Sequence, residues 1–179
     1  SAALHRLAEA KGAVELLLAD CYTRRDHVAL IAFRNKTAEL LLPPTRSLTR
    51  AKNSIMGRPG GGGTPLAAGL DAALALTDAV KRRGQTPAVV LLTDGRANIA
   101  RDGTPGRRQA GEDALQSAAA LRLAALTALV VDVSPRPSPQ AEKIAQAIGG
   151  AYLPLPRADA QTLSTAVRAA TEAPERGAA

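Results

Sequence analysis

From Ala2 to about Cys21, apolar positions recur at Leu7, Ala10, Val14, Leu17, Leu18 and Cys21. Steps of three and four place them on one face of a helix. The pattern then changes period. "HVALIAF" (27–33) is a short unbroken apolar run, and its length predicts a strand covered on both faces. "TAELLL" (37–42) predicts a second strand, with Pro43-Pro44 expected to stop it. Residues 47–56 read as a short helix with Ser47 as its N-cap. After a run of four glycines, Pro65 suits the first helical position. Leu66, Leu70, Ala73, Thr77 and Val80 then trace a helical face that Gly84 ends. "AVVLL" (88–92) is a fully apolar strand running straight into "TDG". A polar loop leads to a helix over 110–125, and "LTALVVDV" (126–133) is a third buried strand. The proline-stiffened "SPRPSP" precedes a helix over 140–148 closed by Gly149-Gly150. Prolines make "AYLPLP" a short edge strand, a last helix runs over 159–170, and 173–179 form a frayed tail.

Apolar strands alternating with helices predict an α/β domain over residues 1–172. Its sheet is doubly wound, open and mostly parallel, with helices on both faces. There is no internal repeat and no linker long enough to divide the chain. Such a sheet normally places a central strand ahead of its first helix, and this chain opens directly on a helix. The expectation is that the first central strand precedes residue 1.

Composition narrows the function classes. Aromatic residues make up only 2% of the chain, so the core must be built from Leu, Val, Ile and Ala. The first residue is Ser1, which marks a processed product or an excised piece, and no signal peptide is legible. The nearest candidate for a membrane span, "LQSAAALRLAALTALVVDV", is broken by Arg122, Thr127 and Asp132. Cys21 is the single cysteine and cannot form an internal disulfide, which fits a reducing, cytoplasmic setting. It reads as a small core residue. The net charge is +7, from 23 Lys and Arg against 16 Asp and Glu. The arginines are scattered in pairs without aromatic interleaving, so nucleic acid is not the expected partner. Acidic protein segments fit better.

In a doubly wound sheet, ligands bind beyond the carboxyl ends of the strands. Three places point there: the chain start at Ser1, the glycine loop ending in Thr64, and "LLTDGRAN", where Asp94 leaves a strand. A phosphate loop would need a lysine where Gly63 is followed by Thr64 and Pro65, and it would follow a strand. Nucleotide binding is therefore rejected. Ser1, Thr64 and Asp94 together form an oxygen-only set suited to Mg²⁺ or another hard cation. Zinc would want His or Cys, and His5 and His27 have no ligand spacing. Spacing alone leaves the bland reading open, in which Thr64 caps a helix and Asp94 caps a turn. Asp132 reads as a loop cap, and Asp71 and Asp78 as solvation of an exposed helix side. No nucleophile–base pair is visible, so no catalytic residue is assigned.

"GGGGTPLAAGL" followed by "VVLLTDGRANI" resembles the von Willebrand factor A, or integrin I, domain family. The resemblance implies a metal-ion-dependent adhesion site for Mg²⁺ or Mn²⁺ built from three loops. Thr64 matches the second-loop Thr, Asp94 the third-loop Asp, and Ser1 the last Ser of a first-loop D-x-S-x-S. The Asp and first Ser of that motif would then lie before residue 1. Within this family the chain is similar to the D subunits of magnesium chelatases. The similarity covers nearly its whole length, including "LLPPTRSL", "TDGRAN" and "YLPLPRADA". That resemblance implies a platform joining an AAA+ ATPase subunit to a large porphyrin-binding subunit. The complex would insert Mg²⁺ into protoporphyrin IX, with ATP held only by partner or upstream AAA+ modules. The subunit's own acidic linker is a further implied partner. Arg96, Arg101, Arg107 and Arg108 are candidate contacts to acidic segments. A cobalt chelatase subunit, or a scaffold for another AAA+ system, is the alternative.

Overall fold

The computed structural model describes residues 2–55, 62–154, 165, 166 and 169. The elements follow in the order α1 (Ala2–Thr23), β1 (Val28–Arg34), β2 (Thr37–Thr45), α2 (Leu48–Ile55), α3 (Leu66–Arg82), β3 (Ala88–Thr93), α4 (Arg107–Leu123), β4 (Thr127–Asp132), α5 (Pro139–Ile148) and β5 (Ala151–Pro154). The anticipated element types therefore hold through residue 154. Ser47 Oγ accepts from the Arg50 amide at 3.2 Å and caps α2 as expected. Gly149 closes α5 with φ +75°, the left-handed cap that glycine adopts without strain. One boundary differs. Pro43 and Pro44 lie inside β2 rather than ending it, because among the described residues β2 pairs only with β1 and its outer edge donates to no ladder. The predicted helix over 159–170 and the tail lie mostly outside the described residues, although Thr165, Ala166 and Ala169 are helical.

β3, β4 and β5 form a parallel sheet with β4 in the middle, while β1 and β2 form a separate antiparallel pair. Side chains alternate across these strands as the pleat requires. On one face, Leu91, Ala128 and Val130 pack with Leu66 and Leu70 of α3, Ala118 and Leu121 of α4, and Ile144 and Ile148 of α5. On the other face, Leu129 and Val131 pack with Leu17 of α1, flanked by Val90, Leu92 and Cys21. The neighbouring Leu18 turns to the other pair, joining Leu42 of β2 and Ala51 of α2 beside Val28 and Leu30. Helix α1 thus straddles both sheets. The result is the expected layering, helices on both faces of a largely parallel sheet.

The sheet is interrupted between β1 and β3. These strands share no ladder, and a cavity of about 360 Å³ separates them. Ile31 and Phe33 of β1 face it from one side, Val89 and Leu91 of β3 from the other, and Ala73 and Val80 of α3 border it.

The core supplies a direct check on this packing. Leu121 is 1% exposed and Leu123, two residues on, is 89% exposed. Leu121→Ala should cost about 2–5 kcal/mol in urea unfolding, whereas Leu123→Ala should stay within about 0.5 kcal/mol.

Candidate metal-binding site

Asp94 leaves the carboxyl end of β3 in a tight turn. Thr93 Oγ1 accepts from the Gly95 amide at 3.0 Å, and Asp94 Oδ1 accepts from the Arg96 amide at 2.9 Å. One carboxylate oxygen therefore caps the turn, as the bland reading held. The other has no protein partner among the described residues. Gly95 sits at φ +81°, and a Cβ there would run into the backbone of Gln140 and Ala141 at the start of α5. Only glycine allows the turn to seat against that helix. Ser134 Oγ donates to the Asp94 carbonyl at 3.4 Å and supports it from the next loop.

Thr64 is held to the loop that follows this turn. Its amide donates to Asn98 Oδ1 at 2.7 Å. The amides of Asn98 and Ile99 donate back to the Thr64 carbonyl at 3.3 and 3.4 Å. Asn98 thus stitches the glycine loop to the loop that Asp94 begins, 34 residues away in sequence. The Thr64 hydroxyl does not cap α3: the cap position is Pro65 and no side-chain cap bond forms. The hydroxyl has no protein partner among the described residues and remains available to a ligand. Ser1, Gly60 and Gly61 lie outside the described residues.

Gly62 and Gly63 are required by their neighbours in the fold. A Cβ on Gly63 would come within 2.6 Å of the Asn35 carbonyl oxygen and of the Ile99 side chain, and one on Gly62 would strike the Asn35 side chain. These two glycines make room for the β1–β2 turn and for Ile99.

Asp132, expected to cap a loop, does so while fully buried at the end of β4. Oδ1 accepts from the Ser134 amide at 2.9 Å, and Oδ2 from the Ser138 amide at 2.7 Å and the Tyr152 hydroxyl at 2.5 Å. Burial works against its charge. Hydrogen bonds from Ser134, Tyr152 and Ser138 outweigh that burial and hold the carboxyl below its usual value. The same contact, with burial, pushes the Tyr152 phenol up to about 12. This network fixes the loop that carries Ser134 to Asp94 and Ser138 to the N-cap of α5.

The arginines divide into two groups. Arg101 is engaged within the chain: Nε meets Asp71 Oδ2 at 2.9 Å, and Nη2 donates to Ser117 Oγ at 2.7 Å. Ser117 in turn donates to Asp71 Oδ1 at 2.6 Å. Asp71, expected only to solvate a helix, instead ties α3 to α4 through Ser117 and to the polar loop through Arg101. Asp78 does stay on the surface, paired with Arg82 at 2.8 Å. Arg96, Arg107 and Arg108 are exposed, Arg108 lying 3.5 Å from Glu112. Burial raises the Cys21 thiol pKa, which suits the packing role expected for it.

Asn98 lies within TDGRAN, where local pattern assigns it no role. Its residue type was the available signal, since an Asn side chain in a loop can mimic a backbone partner. The distance in sequence hid which loop it would meet.

The Asp132 network yields a pH-dependent prediction. Its depressed carboxyl contributes stability that is present above the unfolded value of about 3.9 and lost as pH falls through the lower folded value. Tyr152→Phe removes a hydrogen bond to a charged acceptor, so it should cost about 1.5–3 kcal/mol at neutral pH. That cost should shrink below about pH 4, measured as the difference in urea midpoint between the two proteins.

The family model for the von Willebrand factor type A domain matches residues 2–96. The chain is 57% identical over 170 residues to the magnesium-chelatase 60 kDa subunit of Cereibacter sphaeroides, covering 95% of this chain and 30% of that protein. It is 49% identical over 173 residues to the 60 kDa subunit of Rhodobacter capsulatus, covering 97% of this chain and 31% of that protein. It therefore spans under a third of the length of these relatives. Among solved structures, the manganese-loaded TRAP protein of Plasmodium vivax shares the fold, with a TM-score of 0.67 at 16% identity over 90% of this chain and 64% of that one. No helix among the described residues is long and apolar enough to cross a membrane. With its layered α/β fold and a Thr64 loop stitched to the turn after β3, the chain belongs to the von Willebrand factor type A domain family.

Proposed function

We propose that this chain is the metal-dependent docking module of a cytoplasmic magnesium chelatase, in the subunit that joins the AAA+ ATPase to the porphyrin-binding subunit. The observation that carries the proposal is the pairing of two oxygen donors without protein partners. The Thr64 hydroxyl and one Asp94 carboxylate oxygen stand on loops that Asn98 holds together. An oxygen-only set with one carboxylate suits Mg²⁺ or Mn²⁺ and leaves the ion incompletely neutralised. The described residues contain no group of three His, Cys, Asp or Glu, so the donors do not form a closed acidic cage. Ser1 and the D-x-S residues implied ahead of it would complete the protein's share.

When bound, the ion would supply an open coordination position for a partner's Asp or Glu carboxylate. The chain's own residues do the remaining work. Thr64 and Asp94 hold the ion from two loops. Asn98 keeps those loops in register, and Gly95, Ser134 and α5 keep the Asp94 turn from shifting. Arg96, Arg107 and Arg108 present exposed positive charge to acidic partner segments, the subunit's own linker among them. Arg101 is reserved for the α3–α4 contact. In this reading the bound ion is adhesive and is distinct from the Mg²⁺ inserted into protoporphyrin IX, and the module itself carries no catalytic residue. The high identity to chelatase 60 kDa subunits supports this assignment over a cobalt chelatase or another AAA+ scaffold.

Calorimetry with Mn²⁺ on the full-length polypeptide tests the site. Asp94→Ala should abolish binding, and equal binding by that variant would refute the assignment. Asn98→Ala removes a support and leaves both donors in place, so it should weaken binding about 10–100-fold. Residues 1–179 alone should bind poorly, and tight stoichiometric binding by them would count against ligands ahead of residue 1.

A further inference from the structure

Helix α3 begins two residues after Thr64 and runs for 17 residues, roughly 25 Å, to Arg82. Its far end meets the carboxyl end of α4, where Lys81 Nζ donates to the Ala124 carbonyl at 2.7 Å. A cavity of about 490 Å³ lies here. Leu74 and Ala75 of α3, with Ala124 and Leu126 from the segment between α4 and β4, give it apolar walls, and Asp78 and Lys81 also border it. Leu123 immediately precedes Ala124 and is 89% exposed, the most exposed large apolar side chain among the described residues. Cations rim these groups. Lys81, Arg82 and Arg83 close α3, and Arg122 flanks Leu123, all of them exposed. The carboxylates are already engaged: Asp78 pairs with Arg82, and Asp71, at the cavity's edge, with Arg101 and Ser117. Cations at helix carboxyl ends offset the helix dipole, which accounts for where these stand. The dipole accounts for neither the bare leucine nor the apolar cavity beside it. A leucine exposed alone is ordinary on a surface, whereas an apolar patch rimmed by polar groups marks an interaction site.

We infer that this end of α3 and α4 docks an acidic segment of a partner protein. A bulky apolar side chain of that segment enters the cavity and covers Leu123, while its flanking Asp or Glu residues meet Lys81, Arg83 and Arg122. Charge selects this occupant. A second copy of the chain would bring the same cations to the contact, and two chains of net charge +7 repel each other. An acidic segment reverses the sign of that term and is steered towards the rim before it makes contact. The apolar anchor then supplies the binding that long, exposed ion pairs do not, since such pairs are each worth little in water. The surface stands at the opposite end of α3 from Thr64, so a partner held here does not compete for space with one held there. This inference involves no metal, so it stands or falls separately from the site at Thr64 and Asp94.

Fluorescence anisotropy on the full-length polypeptide tests it, with a labelled peptide carrying Leu-Phe between runs of Asp and Glu as the probe. The peptide should bind saturably, and more weakly as salt rises. Leu123→Ser and the cavity-filling Ala75→Phe should each weaken binding about tenfold or more. Lys81→Glu combined with Arg122→Glu should abolish it. A control peptide with Ser-Ser in place of Leu-Phe should also bind about tenfold more weakly. Urea midpoints of Leu123→Ser and Ala75→Phe should match the unsubstituted protein, because both positions are exposed. Asp94→Ala should bind the peptide normally, which separates this surface from the metal site. Absence of saturable binding would overturn the inference. So would binding indifferent to both Leu123→Ser and Ala75→Phe, or binding lost in Asp94→Ala. A full-length protein that sediments as a dimer, and that Leu123→Ser converts to a monomer, would identify a second copy as the occupant and overturn it as well.

Discussion

The reciprocal hydrogen bonds between Asn98 and Thr64 are the constraint on which the functional end of this molecule depends. Two loops from distant parts of the chain meet through this residue pair. The Asn98 side chain accepts from the Thr64 amide, and the Asn98 and Ile99 amides answer at the Thr64 carbonyl. Because Thr64 satisfies its backbone this way, its hydroxyl is left out of capping. The residue two positions ahead of α3 thereby keeps a hydroxyl with no protein partner among the described residues.

The Asp94 turn depends in turn on what lies behind it. Gly95 lets the start of α5 press against the turn, and the loop from Asp132 to Ser138 sets where α5 starts. A buried carboxylate is costly unless its oxygens are satisfied. Asp132 meets that condition with two amides and the Tyr152 hydroxyl, which ties β5 into the same corner. On the far side of α4, Arg101, Asp71 and Ser117 brace the loop that carries Asn98. The site is thus held by polar networks that reach α3, α4, α5 and β5, while the apolar core below it fixes only the strand ends.

Much of this was legible in sequence because period and punctuation are local. The apolar run at 88–92 with TDG after it could only be a buried strand ending in a turn, and Leu66 and Leu70 marked the face of α3 that packs inward. Asp132 at a strand end was legible as a loop cap. Non-local matters were not legible. Pro43 and Pro44 read as a stop because the sequence does not say that β2 is an edge. Asp71 read as solvation because its partner, Ser117, lies 46 residues away. Nor does the sequence show that the space Gly62 and Gly63 leave is filled by Asn35 and Ile99. Resemblance to the von Willebrand factor A domain singled out Thr64 and Asp94, and the fold shows Asn98 tying the Thr64 loop to the loop that Asp94 begins.

Paramagnetic broadening by Mn²⁺ in the amide spectrum of the full-length polypeptide tests most directly whether these two loops form one cation site. Substoichiometric Mn²⁺ should selectively broaden the amides of Thr64 and of Asp94 through Asn98, and leave those of Gly84 and Leu123 sharp. Broadening centred elsewhere, or spread evenly over the surface, would contradict the account.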